Sequence, residues 1–166
     1  MHLFSLAAGG GDAITTVPAR RWALADGPAA ARHGGFLSGA ECFDSAAFGT
    51  SPAEALSMDP QQRLLLEVGY ETLHGASMRR SDLLDRDVAI LVGIMNTDFA
   101  SLVGSESVYS ATGSQVSIAS GRLAFALGTQ GPCATIDTAC SSALVALDSA
   151  ALSLHADACD AALAAE

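Results

Sequence analysis

Residues 134–144 read ATIDTACSSAL, and this stretch joins a short extended segment to the start of a helix. The helix is predicted over 141–155, because apolar residues recur there with a period of 3.6. One face of that helix carries Leu144, Leu147, Ala151 and Leu154. Cys140 is therefore predicted to lie between the end of a strand and the first turn of a helix.

A thiol at this position has distinctive chemistry. It faces the unpaired N–H groups and the positive dipole end of a helix. That field favours the thiolate over the thiol and makes the sulfur a better nucleophile at neutral pH. The backbone N–H of Cys140 is also placed to donate to a developing oxyanion. The alternative is a buried cysteine that acts as a small apolar side chain, and the residues alone leave both interpretations open.

The segments that precede this stretch predict an α/β protein. Residues 88–94, VAILVGI, form an apolar run typical of a strand buried on both faces. Asp59 and Pro60 predict the start of a helix, as an N-cap and a first-turn proline, and Gly75 predicts its end. The apolar positions of this helix are Leu64, Leu65, Val68 and Leu73. Strands that alternate with helices imply layers of helices on a sheet.

Two further helices are predicted. A brief helix runs over 81–84 with Ser81 as its cap, and a longer helix runs over 114–127. At the other end of the chain, three glycines at 9–11 and Asp12 predict a flexible N-terminal segment over 1–21. A phosphate-binding loop is not expected there, because no strand precedes the glycines and no lysine follows them. Loops are predicted around Trp22 and on to about residue 40.

Composition excludes several classes of protein. The 166 residues are 50% hydrophobic and 16% charged, which excludes intrinsic disorder. The net charge of −10 repels phosphate backbones, so no nucleic-acid partner is expected. No apolar run reaches the roughly 18 residues of a membrane span, and no signal peptide is evident. We therefore expect no membrane association and a cytoplasmic location, with an organelle left open.

The cysteines give no sign of a metal site or of a disulfide framework. They are Cys42, Cys133, Cys140 and Cys159. Four cysteines in a chain of this length are too few for a disulfide-stapled scaffold, and they form no C-x-x-C motif. We expect reduced thiols and no bound metal.

Several motifs resemble one family. DTACSSALVAL at 137–147 resembles the active-site cysteine motif of β-ketoacyl synthases, especially the ketosynthase domains of polyketide synthases. MDPQQRLLLE at 58–67 is similar to a second motif of the family. Shorter matches follow the family order: GGFL at 34–37, FD at 43–44, ASGR at 119–122 and GP at 131–132. The resemblance covers about 22–166 and identifies Cys140 as the catalytic residue.

The resemblance implies a fold and an activity. The fold is thiolase-like, a layered α/β structure with a mixed sheet, of which residues 22–166 form the N-terminal half. The activity is acyl transfer: Cys140 takes an acyl chain from a phosphopantetheine thioester for decarboxylative Claisen condensation with a malonyl unit, in polyketide or fatty acid biosynthesis. The resemblance also implies an acyl carrier protein as partner, no cofactor bound by the domain itself, and a homodimer formed through the strand at 134–138.

The resemblance further implies that the domain is incomplete. The family carries two catalytic histidines in its second half, and none of the histidines here lies in such a motif. They are His2, His33, His74 and His155. We expect a missing C-terminal half as a partner, an apolar face that buries against it, and no condensation by this chain alone. The alternative is a non-catalytic, dimerising ketosynthase remnant that binds partner subunits, although the retained Cys140 weighs against it.

Two charge patterns have structural interpretations. Asp59, Arg63 and Glu67 are spaced at i, i+4 and i+8, which predicts a charge ladder along one helix face more readily than contact with substrate. Arg79, Arg80 and Arg86 form a basic cluster. We expect a solvated face there, and docking of an acidic carrier protein is the alternative.

Overall fold

The structure, a computed structural model, describes residues 8–21, 32–96, 98–102 and 108–166. The chain divides into two compact units, Met1–Ala40 and Glu41–Glu166. In the first unit, strand β1 (Ile14–Thr16) pairs antiparallel with strand β2 (His33–Gly35). Strand β1 lies within the N-terminal segment predicted to be flexible, and its three consecutive β-branched residues favour extended backbone. Of the loops predicted around Trp22 and on to about residue 40, residues 22–31 lie outside the described residues, and the prediction is wrong at β2.

The second unit alternates helices with strands, which confirms the predicted α/β class. Its helices are α1 (Pro52–Ser57), α2 (Pro60–Gly75), α3 (Arg80–Leu83), α4 (Ser110–Ser114), α5 (Ala119–Leu127) and α6 (Ser142–His155). Its strands are β3 (Val88–Gly93), β4 (Cys133–Ile136) and β5 (Ala161–Ala165). Single 3-10 turns occupy Ala46–Phe48, Asp98–Ser101, Val116–Ile118 and Ala139–Ser141. No helix in the described part of the chain is long and apolar enough to cross a membrane.

Helix α2 begins and ends where the sequence predicts. The Asp59 side chain accepts a hydrogen bond from the Gln61 N–H at 2.8 Å, and Pro60 occupies the first turn. This satisfies one of the donors that a helix start leaves unpaired. The prediction for Val68 is wrong, because its side chain is 55% exposed while Gly69 occupies the buried position.

The sheet of the second unit has the strand order β4–β3–β5, and its three described strands run parallel. Strand β3 lies at the centre and is buried along its whole length, as its continuous apolar run predicts. Strand β5, AALAA, is absent from the sequence predictions. Alanine favours helix, so the backbone ladder to β3 decides its conformation and local propensity does not.

Different side chains cover the two faces of this sheet. Val88, Ile90 and Val92 of β3 pack in one core with large residues of α2 and α5. Ala89 and Leu91 point to the opposite face, because side chains alternate along a strand. There they pack with Ala146 and Ala150 of α6 and with Cys159.

Two predicted helices differ in detail. The helix expected over 114–127 is interrupted at Gln115, whose ψ of 121° is extended, so α4, a 3-10 turn and α5 replace it. Helix α3 begins one residue before the predicted cap at Ser81. Its N-terminal N–H at Arg79 donates to the Asp82 carboxylate at 3.1 Å, so Asp82 fills the capping role.

Candidate active site

Cys140 lies in the turn between β4 and α6. Strand β4 ends at Ile136, Cys140 is the middle residue of the 3-10 turn, and α6 begins at Ser142. The thiol-bearing residue is exposed. Strands β3 and β4 are parallel, so the turn lies at the carboxyl edge of the sheet, where open α/β sheets bind their ligands. The predicted strand–cysteine–helix arrangement is confirmed.

A glycine brings the start of α6 close to the sheet. A Cβ atom added at Gly93, the last residue of β3, would lie 2.7 Å from the Ser142 carbonyl carbon and 2.9 Å from the Ala143 nitrogen. Both are backbone atoms, so neither can rotate away. One residue further on, the Ile94 N–H donates to the Ile136 carbonyl at 3.0 Å and extends the ladder beyond the strands. The turn that carries Cys140 is thus fixed against the carboxyl ends of β3 and β4.

Side-chain hydrogen bonds shape the turn itself. The Asp137 carboxylate accepts from the Ala139 N–H at 3.0 Å. The Ser142 hydroxyl accepts from the Thr138 N–H at 2.9 Å and donates to the Ala139 carbonyl at 2.8 Å. The Ser141 hydroxyl donates to the Thr138 carbonyl at 2.9 Å. These bonds allow Ala139 to hold a φ of 55°, in the left-handed region that residues with a Cβ rarely adopt.

The start of helix α6 lies directly behind Cys140. Helix α6 has 14 residues, and no acidic residue occupies its first turn. Its N-terminal N–H groups and positive dipole end therefore face the turn, in which the Asp137 carboxylate also lies. Among the described residues, no group accepts a hydrogen bond from the Cys140 N–H. This N–H is available to a substrate oxygen.

The two described histidines of the second unit, His74 and His155, lie away from Cys140. His155 is the last residue of α6, so its backbone is roughly 20 Å from Cys140 at 1.5 Å per residue. His74 is in the last turn of α2 and contacts the Tyr70 ring, with centroids 5.9 Å apart. The start of α2 lies near the carboxyl edge, because Gln61 donates to the Asn96 carbonyl at 3.0 Å, so His74 lies at the other end. His33 belongs to β2 of the first unit, and His2 lies outside the described residues.

The other cysteines occupy different environments. Cys133 is exposed on β4 and Cys42 is exposed in a loop, while Cys159 is buried in the small-residue core with α6. All four thiols are free. Within the described residues, no three histidine, cysteine or acidic side chains come together as a metal site.

The arginine cluster supports the fold. Arg80 donates to the Ala126 carbonyl at 2.9 Å and to the Ala47 carbonyl, and its guanidinium lies 5.9 Å from the centre of the Phe48 ring. Arg79 pairs with Asp82 at 3.1 Å. The third member, Arg86, lies 4.0 Å from Asp160. Each guanidinium has a partner within the chain, which weakens the carrier-docking alternative.

The charge ladder predicted on α2 does not form among the described residues. Asp59 is buried and caps the helix, and the Glu67 carboxylate accepts from the Asp44 N–H at 3.2 Å. The Arg63 Nε atom is buried without a hydrogen-bond partner in the described part of the chain. Both carboxylates accept from backbone N–H groups, so the i, i+4 spacing does not lead to ion pairs with Arg63 among the described residues.

The first turn of α2 instead anchors loops near the carboxyl edge. Gln62, which is buried, donates to the Thr112 and Gln115 carbonyls at 3.3 and 3.2 Å. The Asp59 N–H donates to the Gly113 carbonyl at 2.8 Å. The motif at 58–67 therefore ties together segments that are distant in sequence.

The hydrogen-bonding roles of Asp137, Ser141 and Ser142 in the turn are not predicted from the sequence. All three shape the turn through the hydrogen bonds given above. A signal was present, because serine and aspartate are the residues that most often satisfy backbone groups at a helix start.

Comparison with protein families gives a match along nearly the whole chain. The model of the β-ketoacyl synthase N-terminal domain matches residues 2–165. The spectinabilin polyketide synthase system protein NorC of Streptomyces orinoci is 46% identical over 98% of this chain. Erythronolide synthase EryA3 of Saccharopolyspora erythraea is 42% identical over 98% of this chain. The chain spans 8% and 6% of the lengths of these two proteins.

Solved structures show the same fold. The ketosynthase from module 6 of the bacillaene synthase of Bacillus subtilis 168 superposes with a TM-score of 0.80 at 30% identity, over 95% of this chain. The oxazolomycin ketosynthase domain OzmH KS7 of Streptomyces albus JA3453 gives a TM-score of 0.79 at 31% identity, over 94% of this chain. The chain covers 27% and 29% of those two structures. The predicted thiolase-like fold is confirmed by this likeness.

Proposed function

The chain belongs to the β-ketoacyl synthase family, and from that premise we propose that Cys140 accepts an acyl chain for carbon–carbon bond formation. The Cys140 thiolate attacks the carbonyl carbon of an acyl thioester on the phosphopantetheine arm of an acyl carrier protein. A tetrahedral oxyanion forms and collapses, the bond to the carrier sulfur breaks, and the carrier thiolate takes up a proton. The product is an acyl chain in thioester linkage to Cys140.

One observation carries this proposal, namely the exposed Cys140 in the turn at the carboxyl edge of the sheet. The start of α6 lies directly behind it. The unpartnered Cys140 N–H provides one donor for the oxyanion. A buried cysteine with an apolar role would have neither feature, and Cys159 is the example of that role in this chain.

The condensation step requires groups that the described part of the second unit does not bring to Cys140. Decarboxylation of a malonyl unit produces an enolate, which donors must stabilise as carbon dioxide leaves. The family carries two histidines for this purpose in its second half, and the described histidines of the second unit lie away from Cys140. We expect the 166-residue chain alone to accept an acyl group and not to elongate it.

The exposed apolar face of α6 supports the proposal that a second half of the domain is a partner of this chain. Leu144 and Leu147 are 70% and 58% exposed, and Leu152 is 59% exposed. An apolar face of this kind is typical of a surface that another protein segment covers. The solved ketosynthase chains, of which this chain covers 27% and 29%, are long enough to supply such a segment.

Acylation is tested by intact mass. The purified chain is incubated with an acetyl thioester of N-acetylcysteamine, which copies the end of the phosphopantetheine arm. We expect one acetyl group per chain, lost in Cys140→Ala and retained in Cys133→Ala, which removes another exposed thiol. A wild-type chain that iodoacetamide alkylates at Cys140 but the thioester does not acylate would favour the alternative, a non-catalytic remnant.

Condensation is tested in the same preparation. Malonyl carrier protein is added to the acylated chain, and the β-keto product two carbons longer is assayed. Loss of one oxyanion donor typically costs about 10² to 10³ in rate, so the absence of two donors should leave no measurable product. Product made by the chain alone, and abolished by Cys140→Ala, would contradict this account. Product made only after a C-terminal ketosynthase segment is added would support it.

A homodimer formed through β4 is the proposed assembly. Within the described residues β4 pairs with β3 on one side only, so it is an edge strand, and Cys133 and Ala134 are exposed. An unpaired strand edge is a template for pairing with a second copy, and such an interface is symmetric about a two-fold axis. Light scattering at micromolar concentration should give the mass of a dimer for the chain supplemented with its second half. A monomer, for the chain supplemented with its second half, would contradict the proposal.

A further inference from the structure

The residue before the nucleophile holds a strained backbone. Ala139 has a φ of 55°, where its Cβ crowds the backbone. A residue keeps such a conformation only where its surroundings over-determine it, and this often occurs at functional sites. Side chains hold the peptide groups on both sides of Ala139, and Ser141 donates to the Thr138 carbonyl of the preceding one. Asp137 accepts from the Ala139 N–H, and Ser142 accepts from the Thr138 N–H and donates to the Ala139 carbonyl.

The bond from Ser142 to the Ala139 carbonyl has a consequence for Cys140. The Ala139 carbonyl and the Cys140 N–H belong to one planar trans peptide group, so they point in opposite directions. The Ala139 carbonyl accepts from the Ser142 backbone N–H and from the Ser142 hydroxyl, the latter at 2.8 Å, and the hydroxyl adds a second bond that fixes the direction of the Cys140 N–H. That N–H is the donor available to the oxyanion in the proposed acyl transfer.

Ser142 is suited to this task by burial. It is 1% exposed, so water does not compete for its hydroxyl, and the approach of α6 to Gly93 holds its backbone. Ser141 differs, because it is partly exposed and its hydroxyl bonds Thr138, one peptide group away from the Cys140 N–H. The aim of the donor therefore depends on Ser142 more than on its neighbour.

We infer that Ser142 is a positioning residue for acyl transfer, which acts by aiming the Cys140 N–H at the oxyanion. The inference rests on the proposed function of Cys140. It predicts that removal of the Ser142 hydroxyl slows reactions that pass through an oxyanion and spares reactions of the same thiol that do not.

The experiment compares two reactions of Cys140 in the full chain. Acylation by the acetyl thioester of N-acetylcysteamine forms a tetrahedral oxyanion. Alkylation by iodoacetamide displaces iodide at a saturated carbon and forms none. Both rates are measured by intact mass and peptide mapping for the wild type, Ser142→Ala, Ser142→Thr and Ser153→Ala. Ser153 is the matched control, because its hydroxyl donates to the Ser149 carbonyl at 2.8 Å on the same helix.

We expect Ser142→Ala to lower acylation about 10- to 100-fold, somewhat less than deletion of an oxyanion donor, and to leave alkylation at the wild-type rate. Ser142→Thr retains the hydroxyl and should restore most of the acylation rate, and Ser153→Ala should match the wild type. A smaller folded fraction lowers both rates together, so the ratio of acylation to alkylation in each variant decides the result.

Three outcomes oppose the inference. A ratio unchanged in Ser142→Ala would overturn it, and so would an equal fall of the ratio in Ser153→Ala. A wild-type chain that is alkylated but never acylated would overturn the proposed function and this inference with it. The last outcome is seen in the wild type, so it is distinguishable from the first two.

Discussion

The two faces of the parallel sheet carry side chains of very different size. On the α2–α5 face, Leu66 and Leu123 are 1% and 0% exposed and pack against the large residues of β3. On the α6 face, the buried helix residues are Ala146 and Ala150. The leucines of α6 point away from the sheet, and Leu144 is 70% exposed.

This difference indicates that the two layers have different roles, one in stability and the other in the position of Cys140. Burial of a large aliphatic side chain contributes about 1.5–3 kcal/mol, so most of the stability comes from the α2–α5 face. Alanine contributes little area, but it lets the axis of α6 approach the sheet closely. That approach, together with Gly93, fixes the start of α6 and therefore the position of Cys140. One layer supplies stability, and the other supplies the geometry of the site.

Equivalent leucine deletions in the two layers test this division, and here the largest effect is expected. Leu123→Ala on α5 should lower the free energy of unfolding by about 2–5 kcal/mol, because it leaves a cavity in a filled core. Leu144→Ala on α6 should change it by less than about 0.5 kcal/mol, because the side chain is already in contact with solvent. Urea denaturation followed by circular dichroism measures both. Equal losses would contradict the division.

Substitutions of two glycines, Gly93 and Gly69, form a second matched pair, with a smaller expected effect on the free energy of unfolding. Gly93→Ala places a Cβ against the Ser142 and Ala143 backbone, and overpacking of this kind typically costs about 1–3 kcal/mol. Gly69→Ala on α2 places a Cβ 2.9 and 3.3 Å from the two methyl carbons of Leu123, which belong to a side chain and not to the backbone, and alanine gains about 1 kcal/mol of helix propensity there.

The measurement for this pair is denaturation combined with acylation of Cys140. We expect Gly93→Ala to lower both the stability and the acylation rate, because the start of α6 moves. Gly69→Ala should leave the acylation rate at its wild-type value. A Gly93→Ala variant with a normal acylation rate would show that the close approach of α6 does not place the thiol.

The sequence predicts best the elements whose signals are local. Asp59 and Pro60 mark the start of α2, the run at 88–94 marks β3, and the period of 3.6 marks α6. The position of Cys140 follows from the same kind of evidence, because a strand end and a helix start leave few residues between them.

The elements that the sequence misses depend on distant partners. Strand β5 is a run of alanines with one leucine, and only its ladder with β3 makes it extended. Likewise, leucines usually mark the buried side of a helix, yet α6 meets the sheet through alanine. The inferred role of Ser142 depends on its hydrogen bond to the Ala139 carbonyl, and no spacing in the sequence predicts that bond.

Two ion pairs extend the comparison to charged groups. Arg122 of α5 bonds Glu54 of α1 at 2.5 Å, with side chains 12% and 25% exposed. Arg86 lies 4.0 Å from Asp160, with side chains 39% and 68% exposed. Removal of a charge from a shielded pair leaves its partner without compensation, whereas solvent screens an exposed pair.

We expect Glu54→Gln to cost about 1.5–3 kcal/mol, since hydrogen bonds to charged groups contribute about that much. Asp160→Asn should cost less than about 0.5 kcal/mol, as is typical of exposed pairs. Thermal denaturation in low and high salt checks both, because screening affects an exposed pair more. A larger loss for Asp160→Asn than for Glu54→Gln would contradict this expectation.

The smallest effect on stability is expected at the outer face of α6, where Leu147 is 58% exposed. Leu147→Gln removes apolar surface from solvent without opening a cavity, so the free energy of unfolding should change by less than about 0.5 kcal/mol. The concentration at which the chain aggregates should rise, because a contiguous exposed apolar face promotes association. Light scattering as a function of concentration measures this.

If the outer face packs on a second half of the domain, the same substitution should weaken complementation by that segment while acylation of Cys140 stays at its wild-type rate. A variant that complements normally would show that the leucines of α6 are not the contact, although the alanines beneath them still place the thiol.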